Sequence, residues 1–143
     1  MLNKFNWAIL GCGNIANDFA RDITRMGGKI YSVANRTHEK AIAFAEKYNI
    51  SKVYENIDDL FQDANVDIVY IATPHNKHIE YILKAMENGK HVLCEKAITL
   101  NSQELNRAVD SKYISLLLEA YVLPLGELNS PKKHLLRTKV RHP

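Results

Sequence analysis

The stretch FNWAILGCGNIANDFA, residues 5–20, decides the fold. Its first half, FNWAILG (5–11), is an apolar run of strand length. Behind it Ile15, Ala16, Phe19, Ala20 and, just beyond, Ile23 recur at helical spacing. Between strand and helix, GCGNIA places Gly11, Gly13 and Ala16 at the three small positions of G-x-G-x-x-G/A. The first glycine permits a tight turn, the second lets a pyrophosphate approach the backbone, and the small Ala16 lets helix and strand pack closely. Exposed N–H groups and the dipole at the helix start attract phosphate, which makes Gly11, Gly13, Asn14, Ile15 and Ala16 candidate cofactor contacts. Two glycines behind a strand also serve a plain turn; the flanking strand and helix favour the phosphate loop.

The same rhythm continues outward. KIYSVAN (29–35) reads as a second strand, followed by a helix through AIAFAEKY behind a Thr37 cap. KVY (52–54) is a short strand, NIDDLFQD a short helix, and DIVYIAT (67–73) a buried strand. Thr73-Pro74 then predicts a helix start, cap followed by first-turn proline, with Ile79, Ile82, Leu83 and Met86 facing inward and a stop at Asn88-Gly89. HVLCE is strand five, a helix opens behind Asn101 with Glu104 placed for a capping box, and YISLLLEA (113–120) is strand six. Strands alternating with helices predict an α/β fold, a Rossmann-type doubly wound parallel sheet.

Composition agrees with one globular domain. Of 143 residues, 46% are hydrophobic and 24% charged, enough to bury a core without disulfide or metal staples. Cys12 and Cys94 sit inside apolar runs with no ligand spacing, so reduced thiols, a cytoplasmic setting and no metal site are expected. No 18-residue apolar run and no long signal-type core occur, which argues against secretion or membrane spanning. The net charge is +3, but residues 121–143 hold Lys132, Lys133, Arg137, Lys139 and Arg141 against Glu127, five less one or +4, leaving −1 for residues 1–120. A nucleic-acid role would rest wholly on that tail, which has one aromatic residue, Tyr121, and no fold signature, so no nucleic-acid partner is expected.

Cofactor choice is written at the end of strand two. An NAD-binding domain usually offers a carboxylate about 20 residues beyond the glycine loop to hold the ribose hydroxyls. Here Asn35 and Arg36 stand in that place. A guanidinium pairs bidentately with a 2′-phosphate, and the Thr37 hydroxyl and Lys40 can assist, so NADP is favoured over NAD. Two alternatives stay open: Arg36 solvates a strand end, or Glu39 reaches back to a ribose. The missing acid also argues against a methyltransferase.

The second half carries ATPHNKH (72–78) and GKHVLCEKAITLN (89–101). With the glycine loop, these resemble the N-terminal half of the Gfo/Idh/MocA oxidoreductases, which show G-x-G-x-I-A, T-P-x-x-x-H and G-K-H-V-x-x-E-K-P followed by Asn. The matching residues are Gly11, Gly13, Ile15 and Ala16, then Thr73, Pro74 and His78, then Gly89, Lys90, His91, Val92, Glu95, Lys96 and Asn101. The Arg after strand two gives the flavour of the NADP-using dihydrodiol dehydrogenase and anhydrofructose reductase branch. The resemblance implies an oxidoreductase transferring a hydride to or from a sugar, polyol or diol-like small molecule. It also implies that Thr73, Pro74 and His78 line the cofactor crevice, Glu95 lies near the nicotinamide ribose and Lys96 acts catalytically near the substrate hydroxyl. From the residues alone, Lys96 also reads as a solvated strand-end charge, and His78 as a capping or packing imidazole. Self-association is left open.

Two departures from the family pattern follow. Ala97 stands where the family has proline; if the family's bond there is cis, as the resemblance implies, alanine either adopts trans, which re-aims Lys96, or keeps cis at a cost of about 2.5–4 kcal/mol. YVLPLGELNSPKKHLL (121–136) resembles nothing in the second α/β domain that the family places after strand six. Residues 1–120 are therefore expected to form an NAD(P)-binding Rossmann domain and 121–143 an irregular basic tail, truncated or out of frame before the second domain. The alternative to the enzyme is a non-catalytic nucleotide-binding module or an inactive fragment.

Overall fold

The computed structural model describes residues 2–96, 100–109 and 117–119. The expectations for Ala97 and for residues 121–143 lie outside them. After a 3-10 turn at Leu2–Lys4 the chain runs β1 (Asn6–Leu10), α1 (Asn14–Arg25), β2 (Lys29–Ala34), α2 (His38–Tyr48), β3 (Lys52–Tyr54) and α3 (Ile57–Gln62). It continues through β4 (Ile68–Ile71), a 3-10 turn at His75–Lys77, α4 (His78–Glu87), β5 (His91–Cys94), α5 (Ser102–Val109) and β6 (Leu117–Glu119). The strands form one sheet in the order β3-β2-β1-β4-β5-β6, and every pairing is parallel. That order is the doubly wound Rossmann arrangement, whose strand order reverses between β1 and β4.

Strand alternation sorts the core into two layers. On one face Trp7, Ile9 and Val33 meet Ala16, Ala20 and Ile23 of α1 and Ala41, Phe44 and Ala45 of α2. On the other, Ala8, Leu10, Val69, Ile71 and Val92 meet Leu60 and Phe61 of α3 and Ile79, Ile82, Ala85 and Met86 of α4. Successive strand side chains point to opposite faces, so a five-residue strand such as NWAIL serves both layers at once. It is buried at its last four positions, which explains why it lacks a polar alternation.

Several local expectations stand. Asn88 and Gly89 end α4: Gly89 has φ +70, its N–H reaches Met86 O at 3.0 Å, and the Lys90 N–H reaches Ala85 O at 2.9 Å. This is a Schellman closure, which needs a left-handed residue at that point. Asn101 Oδ1 accepts from the Glu104 N–H at 2.9 Å, while the Glu104 carboxylate accepts from the Leu100 N–H at 2.8 Å, one residue earlier than a standard capping box.

Two helix starts differ. Thr37 occupies the cap position of α2, but its side chain makes no capping bond. Pro74 is not the first residue of a helix: its ψ of 145° is extended, a 3-10 turn follows, and α4 begins only at His78. Pro74 is thereby held in extended backbone just past β4, with Thr73 in a bend before it.

A polar hub closes the amino-terminal end of the sheet. Asp63 Oδ2 accepts from Lys52 Nζ at 2.6 Å, Tyr54 OH at 2.6 Å and Tyr31 OH at 3.1 Å, and Oδ1 accepts from the Asn65 N–H at 2.8 Å. Burial pushes this carboxyl up, but four donors outweigh that and hold it well below the usual carboxylate range.

Candidate functional site

At the carboxyl ends of the strands a crevice of about 430 Å³ opens beside the β1/β4 reversal. Its floor is the loop Gly11, Cys12 and Gly13, its second wall is Asn35, Arg36, Thr37 and Lys40, and its third is the segment after β4, with Ala72, Thr73, Pro74, Asn76 and Lys77. Ile57 and Tyr81 complete the lining.

The two loop glycines are needed for different reasons. Gly11 has φ +103, and a Cβ there would lie 2.5 Å from the Ala72 carbonyl oxygen. The neighbouring strands hold the backbone close at this point: the Gly11 N–H bonds Ala34 O at 2.9 Å and the Ala72 N–H bonds Leu10 O at 2.8 Å. Gly13 has an ordinary φ of −80, and a Cβ there would meet nothing within 4 Å. The fold itself leaves room for a side chain at Gly13, so the space above it is open to a ligand.

Gly13 precedes α1 without a side-chain cap, and Asn14, Ile15 and Ala16 form the first turn, whose N–H groups have no partner within the helix. Asn14 is exposed, and Ala16 is fully buried against the sheet. Asn17, which sequence reasoning passed over, fixes that turn. Its Nδ2 donates to Gly13 O at 2.9 Å, and its Oδ1 accepts from Tyr48 OH at 2.8 Å and Lys47 Nζ at 2.8 Å on α2.

Electrostatically the crevice suits an anion. Arg36, Lys40 and Lys77 line it, and no carboxylate does among the described residues. Lys77 is paired with Glu80 at 2.9 Å, whereas Arg36 and Lys40 form no salt bridge among the described residues. Asn35 Nδ2 donates to Thr37 O at 2.9 Å, which holds the turn that presents both cations. Glu39 is exposed on the first turn of α2 and does not join the lining. Cys12 is half-buried in the floor; burial raises its thiol pKa to about 11 against the opposing pull of Lys40, so it stays protonated at neutral pH.

Thr73 lines the crevice with its Oγ1 buried and without a hydrogen-bond partner among the described residues. A buried hydroxyl that lacks a partner among the described residues is one that a ligand in the crevice can satisfy. His78 does not reach the crevice. It is fully buried at the start of α4, where Nε2 contacts Thr73 O at 2.7 Å and the ring packs edge-on against His75 at 5.4 Å. The imidazole thus braces the bend at Thr73.

Glu95 and Lys96 follow β5. The Glu95 N–H bonds Ile71 O at 3.0 Å, and its Oε1 accepts from the buried Tyr70 hydroxyl. Glu95 is half-buried, Lys96 is exposed, and neither belongs to the crevice lining. Cys12, Ile57, Ala72, Asn76, Lys77 and Tyr81 line the crevice without having been named as site residues from the sequence.

The chain belongs to the Gfo/Idh/MocA oxidoreductase family: residues 5–112 match its NAD-binding Rossmann-fold domain. It is 38% identical over 106 residues to a trans-1,2-dihydrobenzene-1,2-diol dehydrogenase from Mus musculus, covering 72% of this chain and 32% of that protein. The enzyme of the same name from Xenopus laevis is 33% identical over 120 residues, covering 80% of this chain and 36% of that one. A crystal structure of a mutant 3-ketoreductase from Actinomadura kijaniata, in complex with TDP-benzene and NADP, superposes with a TM-score of 0.72 at 29% identity, covering 80% and 36%. The chain thus spans about a third of the length of the relatives it matches. Among the described residues no helix is long and apolar enough to cross a membrane.

Proposed function

We propose that this chain is the nucleotide-binding part of an NADP-preferring oxidoreductase that transfers a hydride to or from a sugar, polyol or diol-like alcohol. The observation that carries the preference is Arg36 and Lys40 lining the crevice with Asn35 beside them and, among the described residues, no carboxylate in the wall. A ribose bearing two hydroxyls finds no carboxylate there among the described residues to accept from both, whereas a 2′-phosphate gains a bidentate partner and a second cation. The names of the relatives support an alcohol or ketone substrate, and NADP in the 3-ketoreductase supports the cofactor.

The residues present fit such a ligand. Gly13 leaves open space for a pyrophosphate, and the first-turn N–H groups of α1 receive its charge. Arg36 takes the 2′-phosphate, with the Thr37 hydroxyl and Lys40 beside it. Thr73 Oγ1 gains the partner it lacks among the described residues. Glu95 accepts from a hydroxyl of the nicotinamide-side ribose, and Lys96 orients the substrate oxygen and holds a proton there. When bound, the nicotinamide supplies the hydride chemistry, and the chain supplies position and charge. The free thiols Cys12 and Cys94 suit a reducing, cytoplasmic setting.

Calorimetric titration of the 143-residue chain with NADP and with NAD tests the proposal. The expected result is binding that favours NADP by about tenfold or more, the worth of one charge-assisted contact. Equal affinities would remove the argument from Arg36. NADP binding without turnover of diols, polyols or sugars would favour the second reading, a module that holds the nucleotide and does no chemistry.

A further inference from the structure

We propose that Tyr70 is a positioning residue: its hydroxyl sets the Glu95 carboxylate to receive a ribose hydroxyl of the bound nucleotide, and its ring ties that setting to helix α1. The inference rests on the nucleotide reading above and goes beyond it by assigning a role to a side chain in the sheet interior.

Tyr70 is fully buried in β4, with its ring stacked on Phe19 of α1 at 3.8 Å and 15°. Phe19 in turn meets Trp7 at 5.5 Å. The ring is therefore fixed by α1, the helix whose first turn forms the phosphate loop. Its hydroxyl donates to Glu95 Oε1. Burial first, and the neighbouring Glu95 second, push the tyrosine pKa far up, so the hydroxyl remains a donor. The Glu95 backbone is pinned as well, by its N–H on Ile71 O at 3.0 Å, one residue before Ala72 enters the crevice wall. Among the described residues no further hydrogen bond reaches the carboxylate, which leaves Oε2 to accept from a ligand. Phenylalanine would stack on Phe19 equally well without burying a polar atom. The hydroxyl's distinctive effect is on where the carboxylate points.

The test is Tyr70→Phe in the full 143-residue chain, titrated with NADPH and with adenosine 2′,5′-bisphosphate, which lacks the nicotinamide ribose. NADPH binding should weaken about tenfold, as expected for one hydrogen bond to a charged group, while the bisphosphate changes less than about twofold. In a Glu95→Ala background the same substitution should change NADPH binding no further, because Tyr70 acts through Glu95. Equal weakening of both ligands would overturn the proposal, as would unchanged NADPH binding in Tyr70→Phe alongside a loss in Glu95→Ala. If the wild-type chain bound neither ligand, the nucleotide reading itself would fall and this proposal with it.

Discussion

The side-chain amine of Lys90 donates to the main-chain oxygen of Asp63 at 2.6 Å, and also to that of Val66 at 2.9 Å. Lys90 is only 7% exposed and precedes β5, so this clamp lies at the amino-terminal end of the sheet, opposite the crevice. Lys90→Met keeps the aliphatic stem and leaves two carbonyls without their donor, which should cost about 2–4 kcal/mol in urea unfolding. Nucleotide affinity of the folded protein should change less than about twofold. A large loss of affinity at full stability would place Lys90 in the binding site instead.

The Asp63 carboxylate gives the fold an acid-sensitive point. Its folded pKa is depressed, so its contribution is fully present above the unfolded value near 4 and is lost as pH falls through and below it. Urea midpoints measured from pH 6 down to pH 2 should therefore drop for the native chain. Asp63→Asn should start lower at pH 6 and fall less steeply. Parallel curves would show that another group governs the acid limb.

Gly11 and Gly13 should separate folding from binding. A Cβ on Gly11 meets the Ala72 carbonyl and an unfavourable φ, so Gly11→Ala should cost at least about 2 kcal/mol of stability. Gly13→Ala meets nothing, so its thermal midpoint should stay within a few degrees while NADP affinity falls by about tenfold or more. Retained NADP affinity in Gly13→Ala would mean that no ligand backbone passes there.

Arg36→Ala removes a crevice cation that forms no salt bridge among the described residues, so the fold should be unaffected. NADP affinity should fall about ten- to a hundredfold, the loss of a bidentate phosphate contact, and NAD affinity less than about threefold. Calorimetry on both nucleotides checks the split. A parallel loss would point to damage of the shared site.

Most of the strand and helix pattern was legible because each element carries its own signal. Apolar runs between turn residues gave the strands, and 3.6-residue stripes such as Ala16, Ala20 and Ile23 gave the helices. Gly89 could be read as a helix stop because a left-handed φ is a local requirement. Pro74 misled because proline is equally at home in extended backbone and in a first helical turn, and only the packing of the buried His78 beneath Thr73 selects the former. The site was half legible. Residues contiguous with a strand end, from Gly11 to Gly13 and from Asn35 to Lys40, announced themselves, whereas Ile57 and Tyr81 enter the crevice from α3 and α4 with no motif of their own.

By itself the sequence determined the order of elements, the glycine loop and the cation-bearing turn after β2, because these depend on backbone preference and near neighbours. The tertiary structure alone decided that Gly11 must be glycine to clear Ala72, 61 positions away, and that Tyr70 reaches Glu95 across adjacent strands. It also set His78 beneath the site and brought Lys90 under Asp63. Those relationships arise from parallel pairing, which brings residues tens of positions apart into register and leaves no local trace in the chain.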